Sequence, residues 1–510
     1  MSDLSASKVP VMDRALWLIA TTVILGAVMS ILDTTVVNVA LNTLADDFHS
    51  DIASVQWVAT GYTLALATVI PLTGWACDRF GTKRIYMTSI ALFVAGSALC
   101  GAAWSTGSLI GFRVLQGLGG GMLMPAGMTI LTQAAGPQRV GRVMGIIGVP
   151  MLAGPILGPI LGGWLVDDFS WRWIFLINLP IGVAAFMLSA RVLPKDEPQP
   201  AFKLDWIGFA LLSPALALMI YGLAESSTKG GFGHFEVLGP VLLGTALLLG
   251  FLWNAVRTPD IALIDLRLFR NKTYATAFGM LFLVLVAVFG AMLLLPLYLQ
   301  SVRGESALTT GLLLAPQGLG AMIMMPIAGA LTDKTGIGRF VPVGLFVTVL
   351  CFVALTQIGP DTSYWLLGVV LFFLGVGMGT AMMPTFSGAI QTLKRASIAR
   401  ASTALNINQQ VGASFGTAIL AVLLAHELTS RLGNGPGGHL GATVSGAVRE
   451  RVAPAMADAY AATFKVATVL VIIAFVAALV LLPKEKPEPV VDPDDPVVAE
   501  AEAQAAPMMV

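Results

Sequence analysis

The sequence predicts an all-α integral membrane protein with 14 transmembrane helices, built as two six-helix pseudo-repeats plus an inserted helix pair. Three observations predict it. Of 510 residues, 56% are hydrophobic and 11% charged, against roughly 25% charged in a soluble domain, so apolar helix faces must turn toward lipid. Apolar runs of roughly 20 residues, the length that crosses a hydrocarbon core of about 30 Å, recur from end to end. Two distant loops repeat one pattern of glycine, aspartate and basic residues.

The runs place spans at 15–40, 54–76, 86–104, 107–130, 142–166, 172–192, 205–224, 238–256, 274–299, 308–331, 341–358, 364–385, 402–425 and 463–482. The first outlasts a signal-peptide core and has no small-residue cleavage site behind it, so it reads as a retained span. The chain therefore divides into an N-terminal segment 1–14, a six-helix bundle 15–192, a linker with the inserted pair 193–273, and a second bundle 274–483 that includes an outer loop 426–462. Within that loop, 447–462 has the makings of a short amphipathic helix. The tail 484–510 alternates Pro, Val, Asp, Glu and Ala without helical period, which predicts disorder.

Basic residues set the orientation. Alternate loops hold 21 of the 29 Lys and Arg, the opposite loops 7, and Arg113 falls inside a span. By the positive-inside rule both termini are cytoplasmic, in a cell inner membrane. An odd number of spans would break the alternation.

The repeat is explicit. Gly74, Asp78, Gly81 and Arg84 after span 2 match Gly329, Asp333, Gly336 and Arg339 after span 10, all offset by 255. Gly117, Gly119 and Gly121 match Gly375, Gly377 and Gly379, and Gly154 and Gly158 match Gly412 and Gly416, all offset by 258. Spans 1–6 and 9–14 are thus two copies of one unit in the same orientation, and spans 7 and 8 are inserted.

Several function classes are excluded. Net charge is zero, so no global field points to nucleic acid. Cys77, Cys100 and Cys351 lie far apart, and the four histidines fall singly in or near loops, so no metal site is implied. A primary ATP pump needs a G-x-x-x-x-G-K-[ST] loop, which this chain lacks. No Ser/His/Asp set or paired intramembrane carboxylates support an enzyme.

The loop from Gly74 to Arg84, with Asp78, Arg79, Gly81 and Lys83, reads as part of a gate, and Asp333 and Arg339 as its counterpart. Glycine at 74 lets helices approach closely, Asp78 can cap a helix or pair with arginine across the bundle, and Gly81 permits a tight turn. Span 5 holds Gly148, Gly154, Pro155, Gly158, Pro159, Gly162 and Gly163, a density of helix breakers that only a membrane bundle tolerates.

Ionisable residues inside spans are costly and therefore functional candidates. Asp33 lies roughly 12 Å from the outer end of span 1 and Arg113 roughly 9 Å from the outer start of span 4, at 1.5 Å per residue. Their depths nearly coincide. On neighbouring helices they would form an interaction made and broken as Asp33 takes up and releases a proton; a static ion pair fixing helix register is the alternative. Asn406, Asn408, Gln409 and Gln410 in span 13, with Asn38 and Gln116, are candidates for a hydrogen-bonding cavity lining, or else for polar contacts between helices.

The Gly74–Arg84 loop resembles the signature of the major facilitator superfamily, and the resemblance covers nearly the whole chain. Leu32-Asp33-Thr34-Thr35-Val36-Val37-Asn38-Val39-Ala40-Leu41 resembles the signature of the fourteen-span drug/proton antiporters of the EmrB/QacA type, except that Asn42 follows where that signature ends in proline. The resemblance implies that spans 1 and 4 are neighbours, that a kinked span 5 helps close the interface between the halves, and that the stretch from Arg113 through Gln116 to Gly119 serves proton transfer.

The resulting expectation is a proton-coupled antiporter that exports small amphipathic organic compounds by alternating access. It would be a functional monomer with protons as coupling ion and no cofactor; a periplasmic adaptor, used by some relatives of this type, stays open. A dedicated carrier for one metabolite, such as a lipid, siderophore or antibiotic, is the alternative.

Overall fold

The computed structural model describes residues 13–136, 139–195, 203–228, 231–394, 397–433 and 446–484. The expected segments 1–12 and 485–510 and the glycine-rich part of the outer loop, 434–445, lie outside the described residues, as do the side chains of Asn38, Pro155, Pro159 and Asp333.

Apart from the turns and loops that connect them, the described residues form helices, as their apolar runs dictate where backbone groups have no water to bond. The N-terminal half comprises α1 (Arg14–Asp47), α2 (Ile52–Val69), α3 (Leu72–Phe80), α4 (Thr82–Gly101), α5 (Thr106–Ala135), α6 (Val140–Asp168), α7 (Trp173–Leu176) and α8 (Asn178–Val192). The inserted pair is α9 (Trp206–Thr228) and α10 (Phe235–Arg257). The C-terminal half comprises α11 (Lys272–Leu297), α12 (Ala307–Thr335), α13 (Ile337–Leu355), α14 (Tyr364–Gln391), α15 (Ile398–Leu432) and α16 (Gly446–Leu481). Twelve spans among the described residues are long and apolar enough to cross a bilayer, α7 and α8 counting as one; α2 and α3 make a thirteenth, bent by 54°.

The bend corrects the straight span expected over 54–76. Pro71 stands at the N-terminus of α3, where its missing N–H removes a helix bond and its ring disfavours continuation. Other boundaries move because polar ends extend helices beyond the membrane core. Helix α1 runs to Asp47, seven residues past the expected 40. The expected outer loop 426–462 is largely helical: α15 continues to Leu432, and 447–462 forms the first part of α16, a single 36-residue helix. Its buried Met456, Tyr460 and Phe464 explain why it does not stand free; the Tyr460 and Tyr298 rings meet at 5.9 Å, where α11 ends in a π-helical turn over Tyr298–Val302.

Asp13 and Pro483 mark one end of the bundle, called here the terminal end. The Asp13 side chain caps α1 through the Leu16 N–H at 2.7 Å and pairs with Arg139 at 3.2 Å; the amide, with help from that guanidinium, holds its carboxyl below the usual range. Gly338 packs against the backbone of Pro483 and Lys484 at the same end. The two halves meet chiefly through α6 against α12 and α14, and through α15 against α3 and α5. Helix α9 touches α2 and α15, one from each half, and α10 lies outside it. The α10 residues Leu242, Leu243, Leu249, Trp253 and Val256 are exposed, as suits a lipid-facing helix.

Candidate functional site

Asp33 sits near the middle of α1, deeper along the helix than the sequence suggests because α1 is longer. It is 1% exposed, and so is Arg113 on α5. Arg113 Nη1 donates to Asp33 Oδ2 at 2.6 Å and to Gln116 Oε1 at 2.8 Å. Gln116, one turn on, faces the same way, and its Nε2 donates to Asp33 Oδ1 at 2.8 Å. Asn178 Nδ2 of α8 donates to the same oxygen at 3.0 Å. The carboxylate thus accepts three hydrogen bonds, the arginine bond charge-assisted on both sides.

Each member is held by something behind it. Arg113 Nε donates to the Val58 carbonyl of α2 at 3.2 Å, and its guanidinium lies over the Tyr62 ring at 4.1 Å. This is the attraction of a cation for an aromatic face in a dry site. Asn178 Nδ2 also donates to Ser97 Oγ of α4 at 3.1 Å, and Ser97 donates in turn to the Phe175 carbonyl of α7 at 2.9 Å. Cys100 Sγ donates weakly to Gln116 Oε1 at 3.5 Å. Two N-terminal spans, α5 and α8, bond the buried carboxylate directly, and α2 and α4 bond those partners in turn. Removing one partner of such a pair leaves an uncompensated buried charge, at a cost of about 3–5 kcal/mol.

The sequence singled out Asp33, Arg113 and Gln116, and the structure brings all three together. It did not single out Asn178, Ser97 or Cys100. Asn178 falls in the first turn of α8, where an asparagine reads as an ordinary polar residue at a helix start; its one signal is Pro180, which marks a break inside span 6.

The loop residues divide between two tasks. A Cβ added to Gly74 would stand 3.3 Å from Arg400 Cα and 3.1 Å from Thr403 Oγ1 of α15, so the missing side chain lets α3 lie tightly against the other half. Asp78 Oδ2 is 3.7 Å from Arg400 Nε, an ion pair across the same contact. Gly81 takes φ +96° between α3 and α4, the region that favours glycine. Arg79 lies half-buried in the last turn of α3 and Arg84 is exposed. Lys83 Nζ donates to the carbonyls of Ala190 and Leu193 at 2.9 and 2.8 Å, capping the end of α8 within its own half. Gly329 abuts the backbone of Gly141 and Arg142, and Arg339 is exposed.

Helix α6 likewise presents two contacts. Gly145 and Gly148 face the other half, where a Cβ on Gly148 would come within 2.9 Å of Met383 Cγ. Gly154, Gly158 and Gly162, spaced four residues apart, form a ridge against Ile31, Thr35 and Val36 of α1, with Thr35 Oγ1 donating to the Gly154 carbonyl at 3.4 Å. The expected closure between halves therefore involves Gly148, whereas the later glycines pack inside their own half. Gly163 meets nothing within 4 Å, since it points off the ridge.

Of the span 13 amides, Asn406 Nδ2 returns to its own helix at the Ser402 carbonyl, 2.8 Å, and Asn408 Nδ2 bridges to the Phe278 carbonyl of α11 at 2.9 Å. Both are buried, while Gln409 and Gln410 are half-buried. Asn408 thus makes the contact between helices that the sequence left as the alternative.

The helical order and this buried charge centre fit a known family, and residues 23–417 match the model of the Major Facilitator Superfamily. The chain belongs to that superfamily. As a superfamily member it is a membrane transporter and not an enzyme. It is 42% identical over 482 residues to a protein named Multidrug resistance protein B homolog from Mycobacterium tuberculosis (strain ATCC 25618 / H37Rv), covering 91% of this chain and 89% of the relative. It is 33% identical to the putative multidrug resistance protein MdtD of Enterobacter sp. (strain 638), covering 82% of this chain and 87% of the relative. Among solved structures, the human organic anion transporter MFSD10 (TETRAN) matches with a TM-score of 0.60 at 14% identity, covering 92% of this chain and all of the other; this likeness concerns the fold alone.

Proposed function

We propose that this superfamily member is a multidrug exporter of the fourteen-span drug/proton antiporter type, exchanging small amphipathic organic compounds for protons by alternating access. The observation that carries the reading is the buried Asp33–Arg113 pair at 2.6 Å. An intramembrane charge is retained against its cost where it serves transport, and a carboxylate can carry a proton while arginine stays charged and modulates it. The multidrug-resistance names of the relatives support the substrate class.

In this reading α6, 29 residues long, is the fourteenth span, and the terminal end faces the cytoplasm, as the basic residues indicate. Two features favour the pseudo-repeat. Gly74 abuts Arg400 and Gly329 abuts Arg142, and these pairs are related by the sequence offsets of 255 and 258. The contacts draw the halves together at the terminal end, which supports a cycle in which protons reach Asp33 from outside, substrate leaves, and proton release inside resets the carrier. Protons serve as the only cofactor, one chain suffices, and a periplasmic adaptor is an optional partner.

The test is exchange in proteoliposomes with tetraphenylphosphonium, a neutral amphiphile and an organic anion, each with an imposed proton gradient and with a protonophore. Gradient-driven movement of the cation and of chemically unrelated compounds is expected. Transport of one compound alone would favour a dedicated carrier, and transport indifferent to the protonophore would overturn proton coupling.

A further inference from the structure

The three bonds to Asp33 all point inward to the carboxylate, which suits the ionised form. A protonated Asp33 becomes a donor and needs a buried acceptor. Gln116 Oε1 already accepts from Arg113 and Cys100, and the Val58 carbonyl accepts from Arg113 Nε. The Tyr62 hydroxyl is buried without a hydrogen-bond partner among the described residues, and makes no hydrogen bond with Asp33. Asn178 Oδ1 is likewise buried with no hydrogen-bond partner among the described residues, and it belongs to the amide whose Nδ2 already bonds Asp33 and Ser97.

An amide has nearly the same shape when its oxygen and nitrogen are exchanged. Rotating the Asn178 side chain by half a turn about its last torsion would bring Oδ1 to the place of Nδ2, near 3.0 Å from Asp33 Oδ1 and 3.1 Å from Ser97 Oγ. There it can accept the new Asp33 O–H. It can also accept from Ser97, whose hydroxyl proton turns away from the Phe175 carbonyl.

We propose that Asn178 is a two-state positioning residue for proton coupling: its amide donates to ionised Asp33 and, after a flip, accepts from protonated Asp33. This rests on the proton-coupled reading above. The titratable and charged groups facing Asp33 are Arg113 on α5, Tyr62 on α2 and Cys100 on α4; the α6 face packed on α1 contributes glycines. Arginine keeps its charge throughout, so the proton goes to the carboxylate and the flip moves only hydrogen bonds. The device also links protonation to α4 and α7 through Ser97 and Phe175, elements that touch neither the inserted pair nor the other half through these bonds.

The experiment is infrared difference spectroscopy of the full chain in liposomes across a pH titration, which needs no substrate. Wild-type protein is expected to show a hydrogen-bonded carboxylic acid band that Asp33→Asn removes. In Asn178→Leu the band should move to higher frequency as the acid loses its acceptor, and proton-dependent exchange should slow roughly tenfold, the equivalent of about 1.4 kcal/mol. In wild-type protein carrying ¹³C,¹⁵N-asparagine, side-chain amide bands should shift within the same titration; this measurement stands even if the leucine variant folds poorly. Absence of any Asp33-dependent acid band would overturn proton coupling itself. A wild-type acid band with unshifted asparagine bands, or one unchanged in Asn178→Leu, would overturn the amide switch and leave coupling standing.

Discussion

Gly74 of α3 lies against the Cα of Arg400, so close that an added Cβ would sit 3.3 Å away. The contact joins the two halves at the terminal end, next to the Asp78–Arg400 ion pair.

Enlarging this residue should hold the end open. Gly74→Val is expected to insert and fold, yet to lose most gradient-driven exchange. Spin labels placed on α3 and α15 at the terminal end should report longer distances than in the wild-type chain. Unchanged distances and exchange would remove the gate assignment.

Asp33→Asn keeps the size of the side chain and removes the proton carrier. Exchange should become independent of the proton gradient and of pH, while the protein still reaches the membrane. Because Arg113 is left charged and buried, stability should fall by about 3 kcal/mol, measured by urea unfolding. Normal gradient-driven exchange by this variant would refute the role of Asp33.

Arg113→Lys separates charge from geometry. The guanidinium bonds Asp33, Gln116 and the Val58 carbonyl at once and stacks on Tyr62, and a lysine ammonium cannot reproduce that fork. Gradient-driven exchange should drop at least about tenfold, a loss of one charge-assisted hydrogen bond of roughly 1.5–3 kcal/mol. Wild-type rates would show that charge alone suffices.

Gly158 and Gly163 form a matched pair of tests. Gly158→Leu must push into Thr35 and should cost about 1–3 kcal/mol through overpacking, with a lower melting temperature in detergent. Gly163→Ala enters open space and should leave both melting temperature and exchange near wild type. The reverse ranking would mean that the ridge does not carry the α1–α6 contact.

Lys83→Met tests a purely structural role. Losing the cap on the Ala190 and Leu193 carbonyls should lower stability by about 0.3–1 kcal/mol, while exchange persists. Abolished exchange with unchanged stability would return Lys83 to the gate.

Lone charges in long apolar runs are conspicuous, and for that reason Asp33 and Arg113 could be read from the sequence, together with the arrangement of spans around them. Their supports could not. Ser97 and Cys100 are small enough to pass for packing residues, and Asn178 stands where helix starts are commonly polar. The Pro71 bend was hidden because a hydropathy run measures length and not direction. The bonds of Lys83 to α8 were not legible either, since a basic loop gives no hint of which carbonyls its side chain will reach; only the return of α8 to the same end reveals them. Glycine spacing showed that α6 packs tightly, but the division of its contacts between Met383 and α1 depends on rotation about the helix axis, which spacing alone does not fix.

The residues of α1 that meet the α6 ridge, Ile31 and Thr35, stand two positions either side of Asp33, about 200° around the helix. Gly145 and Gly158 are thirteen residues apart on α6, about 20 Å. One helix thus runs from the opposite half to the back of the helix that carries the carboxylate. A movement of the opposite half against α6 would therefore reach the carboxylate from behind, through the backbone of α1 and not through the side that the hydrogen bonds occupy.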